Sequence, residues 1–372
     1  MKILHINCNY IGTTLHQIMI ENLEERGINN TVFVPTYDKK ISVIQPNDNV
    51  YVSECFNRRD RVFFDYKQVK IRKALEAIIR VNKYDVIHAY TLFTDGNCAR
   101  KLSKKYGIPY VVAVRNTDVN DFFRLMPHLR NRGIKIMKDA SAVFFLSEVY
   151  KKQVFEKYIP QNLWTEFENK VKVIPNGIDK FWLDDIPLNN KKIYKDENIN
   201  LIYAGKIDKN KNIRTTQAAM EILSKKGYKV SLTIGGKIID KDEFDKIKKD
   251  KHTLYVPPKT KEMLRELYRE NDIFIMPSIK ETFGLVYAEA MSQGLPVVYS
   301  RGQGFDGQFP EGLVGFSVKS LDAYEIAEKL EEIIGNYECL TAACKKNVEK
   351  FNWKNIVRVY EREYQNCLSG NR

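Results

Sequence analysis

Short, continuous apolar runs alternate with amphipathic stretches along almost the whole chain. In the first half the runs are KILHIN, TVFVP, VYVSE, VIHAY, YVVAVR, AVFFLS and VKVIP. In the second they are NLIYAG, VSLTIGG, TLYVPP, IFIMPS, PVVYS and LVGFSV. A stretch such as TTLHQIMIENLEERG has apolar residues at helical spacing and ends on Gly27, which stops a helix. Strands apolar throughout and separated by helices belong to parallel sheets covered on both faces. The expected fold class is therefore α/β, with doubly wound parallel sheets.

The alternation breaks once. Residues 179–198, DKFWLDDIPLNNKKIYKDEN, are polar, show no period and contain Asn-Asn and Pro, so they read as a linker. This gives an N-terminal domain over 1–178, a linker over 179–198 and a C-terminal domain over 199–352. A final helix follows over 353–372, WKNIVRVYEREYQNCL and its tail. In each doubly wound domain a crevice is expected at the carboxyl ends of the strands, where ligands bind.

Composition narrows the class without choosing a function. The 372 residues suit two domains, and 44% hydrophobic with 29% charged residues is ordinary globular chemistry. No run approaches the ~18 apolar residues that span a bilayer, and MKILHINCNYIG reads as a first buried strand, not a signal peptide. Cys8, Cys55, Cys98, Cys339, Cys344 and Cys367 have no metal-like spacing, so reduced thiols in a cytosolic protein and no metal site are expected. The formal charge of +13 calls for nucleic acid, an anionic membrane face or phosphorylated small molecules.

Candidate chemistry concentrates in SIKETFGLVYAEAMSQGLPVV, Ser278 to Val298. A strand ends at Ser278 and a helix starts near Gly284, so the N–H groups of Phe283, Gly284 and Leu285 face an anion. Glu281 precedes that start and Glu289 lies inside the helix. Eight helical residues span at most ~12 Å, about the length of a diphosphate with a sugar at each end. The helix start would hold the diphosphate, and each carboxylate would accept hydrogen bonds from one sugar's hydroxyls. Lys206 and Lys211, in YAGKIDKNKN on the loop after the second domain's first strand, would offset the negative charge. The competing reading of these lysines is a solvated surface.

With its glutamates in E-x7-E spacing, this stretch resembles the donor-site signature of retaining glycosyltransferases of family four. VIPNGID, AGKIDKNKN, NDIFIMPS and the terminal FNWKNIV…Y extend the resemblance, in order, over nearly the whole chain. The resemblance implies the GT-B fold, two Rossmann-like doubly wound parallel-sheet domains facing a central cleft, with the last helix packing back on the N-terminal domain. It assigns Glu289 to the ribose, Glu281 to the transferred sugar, and Lys206 and Lys211 to the diphosphate. Where Lys206 stands the family usually has arginine. The nucleobase would lie near Tyr255 and Val256, held largely by backbone groups.

In the first domain Gly12, in NYIGTT, matches the family's glycine loop. The family often carries a histidine-containing turn where this chain has Arg115, followed by Asn116, Thr117 and Asp118. Arginine cannot act as a base, but it can stabilise a leaving phosphate or the acceptor. Asn116, Asp118 and His88 are the further polar candidates for the acceptor or cleft, with a core histidine as the other reading of His88. Related retaining enzymes need no protein base, because a donor phosphate oxygen takes the acceptor proton. Neither a metal nor any other cofactor is expected; the substrate would be a UDP- or GDP-linked sugar.

Two basic stretches, Asn57 to Lys73 and Phe122 to Lys138, interleave cations with aromatic and apolar residues, as in helices resting on an anionic membrane; a solvated basic face is the competing reading. No nucleic-acid recognition motif accompanies them. The expected function is a retaining, metal-independent hexosyltransferase that uses a nucleotide-diphosphate sugar and a glycan or polyprenyl-linked acceptor. Its setting would be surface polysaccharide assembly, cytoplasmic and peripheral on the inner membrane face. A nucleotide-sugar epimerase of the same fold and a non-catalytic sugar-nucleotide-binding partner are the alternatives.

Overall fold

Alternation along β1 (Lys2–Ile6) decides how the first sheet is covered: Leu4 and Ile6 enter one apolar cluster, Ile3 another. In the computed structural model, which describes residues 1–38, 48–61, 63–189, 191–194 and 196–369, the chain divides into two units. The first comprises residues 1–177 with the C-terminal helix Trp353–Ser369, the second residues 178–352.

In the first unit β1 is joined by β2 (Asn29–Thr36), β3 (Val50–Glu54), β4 (Val86–Ala89), β5 (Tyr110–Val114), β6 (Ala142–Phe145) and β7 (Val171–Val173). They form one parallel sheet in the order β3-β2-β1-β4-β5-β6-β7. Helices α2 (Phe64–Ile78), α3 (Thr94–Tyr106) and α4 (Pro127–Asp139) bury Ile71, Leu75, Leu102 and Ile136 with the Leu4 cluster. Helix α1 (Leu15–Glu24) and the C-terminal helix bury Met19, Leu23, Ile356, Val357, Tyr360 and Tyr364 with the Ile3 cluster. Gly177 permits this closure, because a Cβ there would lie 2.6 Å from the Trp353 ring.

The second unit holds β8 (Asn198–Ala204), β9 (Lys229–Gly235), β10 (Thr253–Val256), β11 (Ile273–Met276), β12 (Val297–Ser300) and β13 (Gly315–Val318), parallel in the order β10-β9-β8-β11-β12-β13. Strand order reverses between β1 and β4 and again between β8 and β11. At such a switch point the loops leaving two adjacent strands diverge, and a crevice opens.

Residues 179–198 are not the linker that their polarity predicts: the segment packs on the second unit. Asp179 caps a short helix, Lys180–Leu183, accepting from the Phe181 N–H at 3.0 Å. Trp182 is buried against Tyr268, with ring centroids 5.6 Å apart. Arg265 and Arg269 pair with Asp185 at 3.2 and 3.0 Å, and Lys345 donates to the carbonyls of Pro187 and Asn189. A single buried tryptophan supplies an anchor without any period, which is why the pattern does not reveal it. Asn190 and Lys195 of that segment, Val62 in the first basic stretch and residues 370–372 of the final one lie outside the described residues. Among the described residues no helix is long and apolar enough to cross a membrane.

Candidate functional site

The β8 and β11 loops of the second unit are brought together by backbone and amide hydrogen bonds. The Ile279 N–H donates to the Asn210 carbonyl at 2.8 Å. The Asn210 side chain also accepts from the Lys280 N–H at 3.0 Å and donates to the Lys280 carbonyl at 2.9 Å. Asp208 accepts from the Lys211 N–H at 3.2 Å, which fixes the turn that presents Lys211. The result is an ion pair the sequence pattern does not show. Lys211 Nζ lies 2.5 Å from Glu281 Oε2, and the two side chains are only 16% and 13% exposed. Gln303 accepts from the Glu281 N–H at 2.9 Å, and Glu281 Oε1 accepts from the Thr282 N–H at 3.1 Å.

Beside this pair starts the helix Leu285–Ser292. Gly284 caps it with φ +74°, a left-handed conformation that favours glycine, and a Cβ there would lie 2.4 Å from the Tyr287 ring. No side chain caps this end, and the N–H groups of Phe283, Gly284 and Leu285 have no partner among the described residues. Donors of this kind at a helix start, with the dipole behind them, favour an anion. Lys206, on the β8 loop, is exposed and has no ion-pair partner among the described residues.

Glu289 is half-buried, and its carboxylate makes no hydrogen bond or ion pair among the described residues. Burial pushes its pKa from 4.5 up to about 7; the Lys261 charge opposes the shift and Asp179 adds to it. Tyr255 and Val256 lie on the edge strand β10, three strands from β11, hence ~14 Å away across the sheet. The Tyr255 hydroxyl donates to the Gly236 carbonyl at 3.1 Å, and the Val256 carbonyl accepts from the Gly236 N–H at 3.1 Å. Lys261, at the start of the helix that follows β10, pairs with Asp179, and its charge acts on Glu289.

The Glu289 shift has a testable sign. Between pH ~4.5 and ~7 the folded chain holds a proton that the unfolded chain has released, so stability falls as pH rises through that window. Burial also raises Asp95 to about 7 and Asp118 to about 6, with the same sign. Glu289→Gln is expected to shrink, not abolish, the loss of stability between about pH 5 and about pH 8, read from urea midpoints. An unchanged pH slope would mean that Glu289 is ionised throughout.

In the first unit the structure separates the candidates. Arg115 is half-buried and held in place: its Nη1 donates to Asn176 Oδ1 at 3.0 Å, its Nε to the Tyr90 carbonyl at 3.3 Å, and it lies beside the Tyr360 hydroxyl. It is a positioned cation. Asn116 is half-buried and bonded to Asn120. Gly12 ends a one-turn helix; its φ is not left-handed and a Cβ would meet nothing within 4 Å, so the fold itself does not demand glycine there.

One expectation is corrected, for Asp118, and the core reading of His88 is the one the structure supports. Asp118 is buried and its carboxylate accepts from three backbone N–H groups: Arg115 at 2.9 Å, Leu92 at 3.0 Å and Phe93 at 3.2 Å. It staples the β5 loop to the start of α3 and is not open to an acceptor. His88 is fully buried on β4, stacked on Tyr90 at 4.2 Å, with Nδ1 2.7 Å from the Tyr364 hydroxyl. Burial holds its pKa well below the usual range, so it is a neutral core histidine under the C-terminal helix. Asn210, Gln303 and Asn176, which position the charged groups, are absent from the sequence-based candidates. Asn210 and Asn176 do stand inside the quoted KNKN and PNG motifs.

Among the described residues no group of three or more His, Cys, Asp or Glu is arranged to hold a metal ion. Residues 15–180 match the family model Glycosyltransferase Family 4, and residues 185–351 match Glycosyl transferases group 1. An uncharacterised glycosyltransferase of Methanocaldococcus jannaschii is 26% identical, over 76% of this chain and 75% of its own length. A capsular polysaccharide biosynthesis glycosyltransferase of Staphylococcus aureus is 29% identical, over 59% of this chain and 61% of its own. Among solved structures, sucrose-phosphate synthase from Thermosynechococcus elongatus shares the fold, with a TM-score of 0.75 over 99% of both chains at 18% identity.

Proposed function

Since the chain belongs to the GT-B glycosyltransferases of the family-four type, we propose that it transfers a hexose, with retention, from a UDP- or GDP-linked sugar. The observation that carries this reading is the Lys211–Glu281 pair beside N–H groups at a helix start that have no partner among the described residues. A diphosphate fits there: the helix start and the two lysines supply the positive charge that a metal would otherwise bring, so no cofactor is invoked. We assign Glu281 to accept from the hexose hydroxyls, and Glu289, whose carboxylate has no partner among the described residues, to accept from the ribose. Tyr255 and Val256 mark the nucleobase end, with backbone groups as its partners.

In the transfer, the bond from the sugar's anomeric carbon to the β-phosphate oxygen breaks as the acceptor oxygen bonds the same face. The acceptor proton passes to the leaving phosphate, giving a glycoside and a nucleoside diphosphate. Within the first unit, Arg115 is proposed as a fixed cation for an acceptor or phosphate, and Gly12 leaves its backbone open.

The acceptor is proposed to be a glycan or polyprenyl-linked sugar of a surface polysaccharide, as the likeness to the capsular enzyme suggests. Exposed Phe63, Tyr66 and Leu125 among the cations of the two basic stretches support peripheral contact with an anionic membrane, on the cytoplasmic face. No role for nucleic acid is proposed.

The test is release of nucleoside diphosphate from a panel of sugar nucleotides by the purified chain, with the product anomer read by proton NMR. Release with one donor and a retained anomer is expected. Tight donor binding without release would identify a non-catalytic binder, and an inverted product would exclude retention. Lys206→Arg is expected to keep the activity, since charge and reach are preserved.

A further inference from the structure

Between α2, α3 and α4, on the first unit, lies a cavity of about 510 Å³ lined by none of the donor or acceptor residues above. That volume is in the range of small-ligand sites. Its floor is a pair of buried amides. Gln68 and Asn97 are 5% and 6% exposed, and Asn97 Nδ2 donates to Gln68 Oε1 at 3.1 Å. Gln68 Nε2 is buried with no hydrogen-bond partner among the described residues. Exchanging the oxygen and nitrogen of both amides transfers the shared bond but still leaves buried N–H donors at the floor.

The wall is strongly cationic. Arg72, Arg100, Lys101, Arg132 and Lys135 face one carboxylate, Asp65. Arg132 is engaged with Asp65, and Arg100 with Asp139 at 2.7 Å. Arg72 reaches Glu76 only at 3.4 Å, and Lys101 and Lys135 have no ion-pair partner among the described residues. A buried amide without a partner is costly, and unpaired cations over it leave a site whose donors outnumber its acceptors. A neutral sugar needs both kinds of group; a phosphoryl group, with only acceptor oxygens, matches this one.

We infer that this cavity binds the phosphoryl group of a small phosphorylated ligand, with Gln68 donating to one oxygen and Lys101, Lys135 and Arg72 neutralising the charge. The inference is independent of the donor loops. Two sources share this chemistry, a soluble phosphate ester and a phospholipid headgroup.

The test is calorimetric titration of the full chain with glycerol 3-phosphate at constant ionic strength, for wild type, Lys101→Ala/Lys135→Ala and Gln68→Leu. Both lysines are exposed, so the double variant keeps the fold even if Gln68→Leu does not. Affinity is expected to fall about tenfold or more in the double variant, while release of nucleoside diphosphate stays unchanged. Any binding common to all three proteins belongs to the donor loops and is subtracted. Cosedimentation with phosphatidylglycerol vesicles separates the sources. Sedimentation reversed by glycerol 3-phosphate identifies the headgroup, and soluble binding without sedimentation identifies a free ester; both support the site. Isotherms identical in wild type and double variant, or no saturable binding of either probe, would overturn it.

Discussion

Replacing Lys211 by alanine is expected to lower kcat/KM by ~10² or more, as loss of a preorganised electrostatic stabiliser does. The variant should also be less stable, because Lys211 does two jobs. It neutralises Glu281 at 2.5 Å in a largely buried setting. Removing it leaves the Glu281 charge poorly solvated and without its cation, a loss toward the lower end of ~3–5 kcal/mol. The double variant Lys211→Ala/Glu281→Ala separates the two effects: urea midpoints should recover much of the stability while turnover stays low. Near-normal turnover in Lys211→Ala would remove it from the diphosphate site.

Deleting residues 353–372 is expected to unfold the first unit, not merely to loosen it. The helix buries Trp353, Ile356, Val357, Tyr360 and Tyr364. At ~1.5–3 kcal/mol per buried side chain their loss approaches roughly 10 kcal/mol, comparable with the whole stability of a domain. It also strips the Tyr364 hydroxyl from His88. Calorimetry of the truncated chain should show one transition, that of the second unit, together with retained nucleoside diphosphate binding and no transfer. A truncated chain that keeps the first unit's transition would show that the helix is dispensable to its core.

The alternation of apolar runs was enough to find both parallel sheets, because strands buried on two faces have few polar positions to obscure them. The helix start at Gly284 was legible for a local reason: glycine, strand end and carboxylates lie within one short stretch. What the sequence hid depends on contacts between distant segments. Lys211 and Glu281 are seventy residues apart and meet only because β8 and β11 are neighbours in the sheet. Asp118 resembles an open carboxylate until the backbone of Leu92 and Phe93 is placed beside it. His88 sits on a strand whose outer face is covered by a helix from the far end of the chain, so its burial has no local signal. The packing of the segment around Trp182 was obscured by its polarity: Asp185 pairs with Arg265 and Arg269, and backbone carbonyls accept from Lys345.

The central claim is that the β8 and β11 loops hold the donor, with Glu281 on the transferred sugar. Glu281→Ala tests it most directly, with nucleoside diphosphate affinity measured by calorimetry and turnover measured on the same preparation. Because Glu281 pairs with Lys211, its removal frees a cation for the diphosphate. Nucleoside diphosphate affinity is expected to be unchanged or tighter, with turnover reduced by about tenfold or more. A parallel loss of affinity and turnover would contradict it and take Glu281 out of the sugar subsite.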